Sequence, residues 1–261
     1  MNIYAESAIA RLVYGKRKLF PLRRSPITSA GKAAILVIRP DAIGDLTLTV
    51  PFLRNLRANF PSHIITLVTD PSLVNLMELC PYIDELLTFS KRAKKHKFMT
   101  NLRAAEKFVR EKLPPHKWEL AIVPAYANPD SYCEAWISFF SGAKRRLAYT
   151  EVLSEQKHHD YMGAFDMYFT DLCRDDTVHH EVEGCLGLIR HMGLPVDDGH
   201  LELWTEEKDR ETAKALLGQK EKQIRVAVNL STSNITKDWP VKTLWPFARC
   251  LWHLATWNLC L

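Results

Sequence analysis

Two stretches of this 261-residue chain bring together side chains that could do chemistry. Arg39-Pro40-Asp41-Ala42-Ile43-Gly44-Asp45 sets a guanidinium and two carboxylates directly after the apolar run Ile35–Ile38. A carboxylate delivered there can take a proton from a bound hydroxyl; the plainer alternative is a helix N-terminal cap. Arg39 and Asp41 could touch a ligand or simply pair with each other. The second stretch, Ser231-Thr232-Ser233-Asn234-Ile235-Thr236-Lys237, is rich in hydroxyls, carries a lysine and runs into Pro240. Hydroxyls, backbone N–H groups and a helix N-terminus together make an anion site, with Lys237 as the point charge; otherwise it is a polar loop with a solvated lysine. His158, His159, Asp160, His179 and His180 invite a metal assignment. Their spacing fits no zinc pattern, and adjacent histidines in a helix point to different faces. No metal or other cofactor is expected.

These groups need elements to hold them. Ala34–Ile38 reads as a strand, and Ile43, Leu46, Val50, Leu53 and Leu56 recur at helical spacing through Asn59, with a kink expected at Pro51. Strand, glycine turn, helix is how α/β sheets build ligand sites at their carboxyl ends. Gly44 would permit the turn and a close approach, and Asp45 would stand at the helix start, where its charge suits the dipole. Further strands are expected at Ile64–Val68, Glu85–Phe89, Leu120–Val123, Arg146–Ala148 and Ile224–Val228. Helices are expected at Pro71–Leu79, Phe98–Lys112, Ser131–Phe140, Val178–His191, Thr205–Leu217 (capped by Thr205) and Val241–Leu254. The alternation predicts an α/β fold with a mostly parallel sheet and helices on both faces.

Composition narrows the function classes. The net charge of +5 is unevenly placed. Arg11, Lys16, Arg17, Lys18, Arg23, Arg24 and Lys32 face a single acid, Glu6, in the first segment, and Lys91–Lys97 forms a second basic cluster. Such clusters can meet anionic lipid or nucleic acid, but only Tyr14 and Phe20 stand among the basic residues, too few for a base-stacking surface, so no nucleic-acid partner is expected. Six cysteines without a CxxC pair read as reduced thiols in a cytoplasmic chain. No apolar run is long enough to span a membrane. GxGxxG, P-loop, HExxH and serine-elbow motifs are absent.

Arg39–Pro51 with Leu53–Arg57 and Phe60-Pro61 resembles the opening of the heptosyltransferase-like glycosyltransferases, glycosyltransferase family 9. The resemblance continues in order through Ile64–Val68, Pro81–Leu87, Ala143–Ala148, His180–Pro195 and Lys237–Pro240. It implies the GT-B architecture, two Rossmann-like domains across a cleft, and an inverting sugar transfer from a nucleotide-diphosphate sugar to lipopolysaccharide core or a related glycan. It implies Asp45 as general base, with Gly44 lining the same pocket. Thr232, Ser233 and Lys237 would sit on the donor phosphates, and Arg145 and Arg146, with Arg39 and Asp41, are candidates for an anionic glycolipid acceptor. Lys91 to Lys97 could meet acceptor phosphates, and the enzyme would work in the cytoplasm, with peripheral contact at the inner membrane.

The expected organisation is a basic extension over 1–32, one complete Rossmann-like domain over 33–223 and only the start of a nucleotide-sugar domain over 224–261. One strand and one helix cannot bury a core, and the Trp-rich tail Cys250–Leu261 departs from the family, so the reading is of a truncated or frame-disrupted chain. The alternative function is a non-catalytic, acceptor-binding module.

Overall fold

The computed structural model describes residues 33–91, 98–126, 132–153, 165–178, 180–218, 225–227, 242, 246 and 258–260. The basic extension, Thr232, Ser233, Lys237 and most of the expected helix Val241–Leu254 lie outside them. By contacts the chain divides into two units, the first reaching Trp204 and the second running from Thr205 to Leu261.

The first unit is built on six parallel strands: β1 (Ala34–Ile38), β2 (Ile64–Thr69), β3 (Glu85–Thr88), β4 (Trp118–Val123), β5 (Arg145–Tyr149) and β6 (Asp171–Cys173). Their order is β3-β2-β1-β4-β5-β6, and every pairing is parallel. The chain therefore builds outward from β1 on one side, then crosses to β4 and builds outward on the other. The carboxyl ends of β1 and β4 flank the switch point, where open α/β sheets bind ligands. The α/β class and the parallel sheet are as the sequence predicts. β6 was not expected, because three residues between turns leave no pattern to read.

All five β1 side chains are buried, and they alternate between two cores as the period of two requires. Ala34, Leu36 and Ile38 face a cluster with Leu102, Ala105 and Phe108 of α4 (Phe98–Lys112) and Trp136 and Ile137 of α5 (Cys133–Phe140). Ile35 and Val37 face the opposite cluster. It contains Leu46 of α1 (Ile43–Leu48), Val50, Leu53 and Leu56 of α2 (Val50–Asn59), and Leu188 and Ile189 of α6 (Glu181–His191). A short 3-10 turn and α3 (Val74–Met77) replace the single helix expected after β2.

The expected kink at Pro51 is a break. α1 ends at Thr49, and α2 restarts with Pro51 in its first turn. There the missing N–H costs nothing, whereas in one continuous helix the proline ring would clash with a carbonyl four residues back.

Beyond α6, residues 193–204 lie along α2. Asn55, buried, donates to Asp198 O at 3.1 Å and accepts from Asp197 N at 2.8 Å. Asn59 donates to Pro195 O at 2.9 Å, Arg54 pairs with Glu202 at 2.7 Å and with Asp198, and Tyr82 donates to Glu202 at 2.6 Å.

In the second unit, α7 (Glu207–Leu217) is capped by Glu206 in a reciprocal box with Asp209, not by Thr205 as expected. β7 (Arg225–Ala227) pairs in parallel with β8 (Asn258–Cys260). The tail that departs from the family in sequence thus still supplies a strand.

Candidate active site

Arg39 is the first residue beyond β1, and Pro124 is the first beyond β4. The Arg39 side chain closes the switch point by donating from Nη1 to Pro124 O at 2.7 Å. Its Nη2 donates to Glu181 Oε1, at the start of α6, at 2.6 Å. Its Nε lies 3.1 Å from Asp41 Oδ2, and Nη2 lies 3.7 Å from Asp45 Oδ1. The side chain is only 2% exposed. A buried charge is tolerated when carboxylates and carbonyls compensate it. Burial works against the charge here, but Cys185, Asp41 and Glu181 outweigh it and raise the guanidinium pKa above its ordinary value. Cys185 shares the same carbonyl, donating from Sγ to Pro124 O at 3.1 Å; burial pushes its thiol up to about 12.

Three carboxylates surround Arg39, and they differ in access. Asp41 and Glu181 are largely buried, while the Asp45 side chain is 47% exposed. Asp45 is therefore the acid a ligand can reach. It is not the helix cap: that position is Ala42, which makes no side-chain cap bond, and Asp45 lies in the first turn of α1. Gly44 has helical backbone and is not among the positive-φ glycines of the described residues. The chain turns there without needing glycine freedom, contrary to expectation. The residue provides space instead, since a Cβ built on it meets no atom of the described residues within 4 Å beyond its own stretch of helix.

Asp41 is drawn from its other side by Lys91, which also contacts Glu134 in the first turn of α5. Both Lys91 and Asp41 are 9% exposed, and Glu134 is 1% exposed. Burial opposes the Lys91 charge, but Glu134 and Asp41 raise its pKa nonetheless. Burial raises the Glu134 pKa against the pull of Lys91. The expectation that Lys91 reaches outward to acceptor phosphates is thus corrected: two buried carboxylates turn it inward. Residues 92–97 lie outside the described residues.

Arg145 and Arg146 do not join this group. They open β5, and in a parallel sheet the first residues of a strand lie at the edge opposite the carboxyl ends. Arg145 pairs with Asp171, which also meets His191 Nε2 at 3.0 Å. Arg146 donates from Nε to Tyr168 O at 2.7 Å and from Nη1 to Ala143 O at 3.0 Å, and lies 5.6 Å over the Phe139 ring.

Glu181 and Glu134 were not singled out from sequence. A lone carboxylate in the apolar octet Cys133–Phe140 is a legible sign of a buried ion pair; nothing comparable marks Glu181. His180, weighed as a metal ligand, accepts from Val182 N at 3.2 Å and caps α6. Among the described residues no cluster of three His, Cys, Asp or Glu could hold a metal, and no helix is long and apolar enough to cross a membrane.

No family model matches the chain, and no curated protein matches it in sequence. Solved structures do. A glycosyl transferase family 9 protein from Veillonella parvula superposes with a TM-score of 0.67 at 21% identity, over 90% of this chain and 63% of the other. The chain has the fold of that glycosyltransferase. E. coli ADP-heptose LPS heptosyltransferase II matches with a TM-score of 0.58 at 17% identity, over 87% of this chain and 63% of its own. An E. coli heptosyltransferase solved with ADP gives 0.59 at 14%, over 87% and 66%. The chain thus spans about two thirds or less of the length of these glycosyltransferases.

Proposed function

We propose that this protein takes part in sugar transfer from a nucleotide-diphosphate sugar to an acceptor hydroxyl, with Asp45 as the general base and inversion at the anomeric carbon. The observation that carries this reading is the single well-exposed carboxylate around Arg39, held at the switch point of a sheet with the family 9 glycosyltransferase fold. In the proposed step, Asp45 accepts the hydroxyl proton as the acceptor oxygen forms its bond to the anomeric carbon. The bond from that carbon to the diphosphate oxygen breaks on the opposite face, and the electron pair leaves with the nucleotide diphosphate. Arg39 Nη2, 3.7 Å from Asp45 Oδ1, is placed to orient that carboxylate.

The donor phosphates would be met by Thr232, Ser233 and Lys237, whose charge and hydroxyls remove the need for a metal. A heptose-like sugar and an anionic lipopolysaccharide-type acceptor follow from what the similar structures are named for. On that reading the protein works in the cytoplasm, with the basic residues 1–32 making peripheral contact with the inner membrane surface.

The test is Asp45→Asn, assayed for transfer and for acceptor binding. Transfer is expected to fall about 10²–10⁴-fold with acceptor binding retained; unchanged turnover removes Asp45 from the role. Calorimetry with nucleoside diphosphates accompanies it. Binding supports a transferase, and its absence, with acceptor binding intact, supports the acceptor-binding module instead.

A further inference from the structure

Lys91 joins two buried carboxylates that lie on different elements, Asp41 in the loop after β1 and Glu134 at the start of α5. Its own position follows β3 by a few residues. Asp41 is thereby held between two cations, Lys91 on one side and Arg39 Nε on the other. The Arg39 guanidinium is held in turn by hydrogen bonds from Nη1 to Pro124 O and from Nη2 to Glu181, while its Nε faces Asp41 Oδ2 at 3.1 Å as an ion pair without hydrogen-bond geometry. Its Nη2 is the atom that faces Asp45. A continuous line of charged contacts therefore runs from the interior end of α5 to the exposed carboxylate: Glu134, Lys91, Asp41, Arg39, Asp45.

We propose that Lys91 is a positioning residue for the candidate base, acting through Asp41 and Arg39 rather than on any ligand. The proposal rests on the reading of Asp45 as the base. Its physical content is that Arg39 and Lys91 compete for Asp41. With Lys91 present, Asp41 is shared, and the guanidinium is left turned with Nη2 toward Glu181 and Asp45. Without it, Asp41 has only Arg39 to neutralise it, and the guanidinium is drawn toward Asp41 and away from Asp45. The buried location makes this competition strong, because charges screened from water act over these distances with little attenuation.

Replacing Lys91 alone takes from buried Glu134 the cation it contacts, and such a variant can simply fail to fold. The informative variant is the double replacement Lys91→Met with Glu134→Gln, which removes one charge of each sign and leaves Asp41 and Arg39 in place. Lys91→Arg keeps the cation and serves as the conservative control. The first readout is nitrogen-15 NMR of the Arg39 side chain in the full chain, with backbone amide dispersion as the check on folding. In the unaltered protein the Arg39 Nε–H signal is expected to be protected, with slowed rotation of the guanidinium. In the folded double variant the signal shifts and rotation speeds up, and in Lys91→Arg it returns toward the original. An Arg39 signal unchanged in a folded double variant overturns the proposal.

The second readout is sugar transfer with the nucleotide-sugar donor. The double variant is expected to lose roughly tenfold or more in kcat with little change in KM, the pattern of a group that acts on the transition state alone. A change confined to KM also overturns the proposal. If the unaltered protein transfers no sugar, the reading of Asp45 fails while the NMR readout still decides whether Lys91 sets Arg39.

Discussion

Arg39 and Pro124 occupy equivalent places, one residue beyond the carboxyl ends of β1 and β4, and a 2.7 Å hydrogen bond joins the side chain of one to the carbonyl of the other. The bond spans the place where the order of the sheet reverses. It ties the two halves of the first unit at the point where the candidate base stands.

Removing that tie should be costly. Arg39→Met leaves Pro124 O without its guanidinium donor and Glu181 without its partner, and Asp41 keeps only Lys91. Breaking a buried ion pair from one side costs about 3–5 kcal/mol. Urea unfolding should show a loss in that range; a loss of well under 1 kcal/mol would mean that the guanidinium is not needed to hold the switch point together.

A second expectation concerns the packing of α6 on β5. A Cβ at Gly187 would overlap the Tyr149 hydroxyl, which itself donates to Gly184 O at 2.8 Å. Gly187→Ala should destabilise the protein by about 1–3 kcal/mol through overpacking. Adding Tyr149→Phe removes the clashing oxygen, and the next ring atom lies 3.6 Å away, an ordinary contact. The double variant should therefore be more stable than Gly187→Ala alone, although Tyr149→Phe by itself costs about 1 kcal/mol for the lost hydrogen bond. Strict additivity in thermal or urea melts would refute the steric account.

The Asp171–His191 pair makes stability depend on pH. The hydrogen bond to Asp171, then that to Cys173, raises the His191 pKa from 6.5 to about 9. The folded state holds the proton more tightly, so this contribution is complete below about pH 6.5 and is lost as pH rises through about 9. Its half-buried position screens the effect to roughly 1–2 kcal/mol. The Cys173 thiol works in the opposite sense: burial opposes its ionisation, but the bond to His191 prevails and lowers its pKa. Asp171, lowered by the same imidazole and by Arg145, contributes above its ordinary value of 3.8, and that contribution is lost on acidification. Urea melts at pH 6 and pH 10 should differ more in the native chain than in His191→Gln; equal differences would exclude His191 as the source.

Asn55 should matter more than its neighbours on α2. Its amide donates to Pro51 O at 2.8 Å and to Asp198 O at 3.1 Å, and accepts from Asp197 N. Asn55→Ala removes both donations and the acceptor of the part-buried Asp197 N–H, three hydrogen bonds worth about 1–3 kcal/mol together. Limited proteolysis should then cut within residues 193–204 far faster than in the native chain. An unchanged cleavage pattern would show that Arg54 and Tyr82 hold this segment unaided.

Most strands and helices of the first unit are legible because each buries a face with one clear period. β1 is apolar on both sides, α2 repeats at three and four, and α6 stops at Gly193, whose φ is +76. Asp45 and Arg39 are legible as neighbours in sequence, since a single turn carries both. The partners that give Arg39 its setting are not. Glu181 and Pro124 come from positions 142 and 85 residues away, and their meeting depends on strand order rather than on any local signal. The place of Arg145 and Arg146 is illegible for the same reason: sequence marks them as lying beside a strand but not at which end of the sheet that start falls. Lys91 misleads because it opens a basic run, and the carboxylates that turn it inward lie on other elements.

The vacancy above Gly44 bears on how the site can be questioned. Among the described residues, a methyl group placed there touches no atom within 4 Å beyond its own stretch of helix, and an alanine suits a helix better than glycine by about 1 kcal/mol. The molecule itself would scarcely register the change, so any deficit it caused would measure the bulk of an incoming guest beside Asp45.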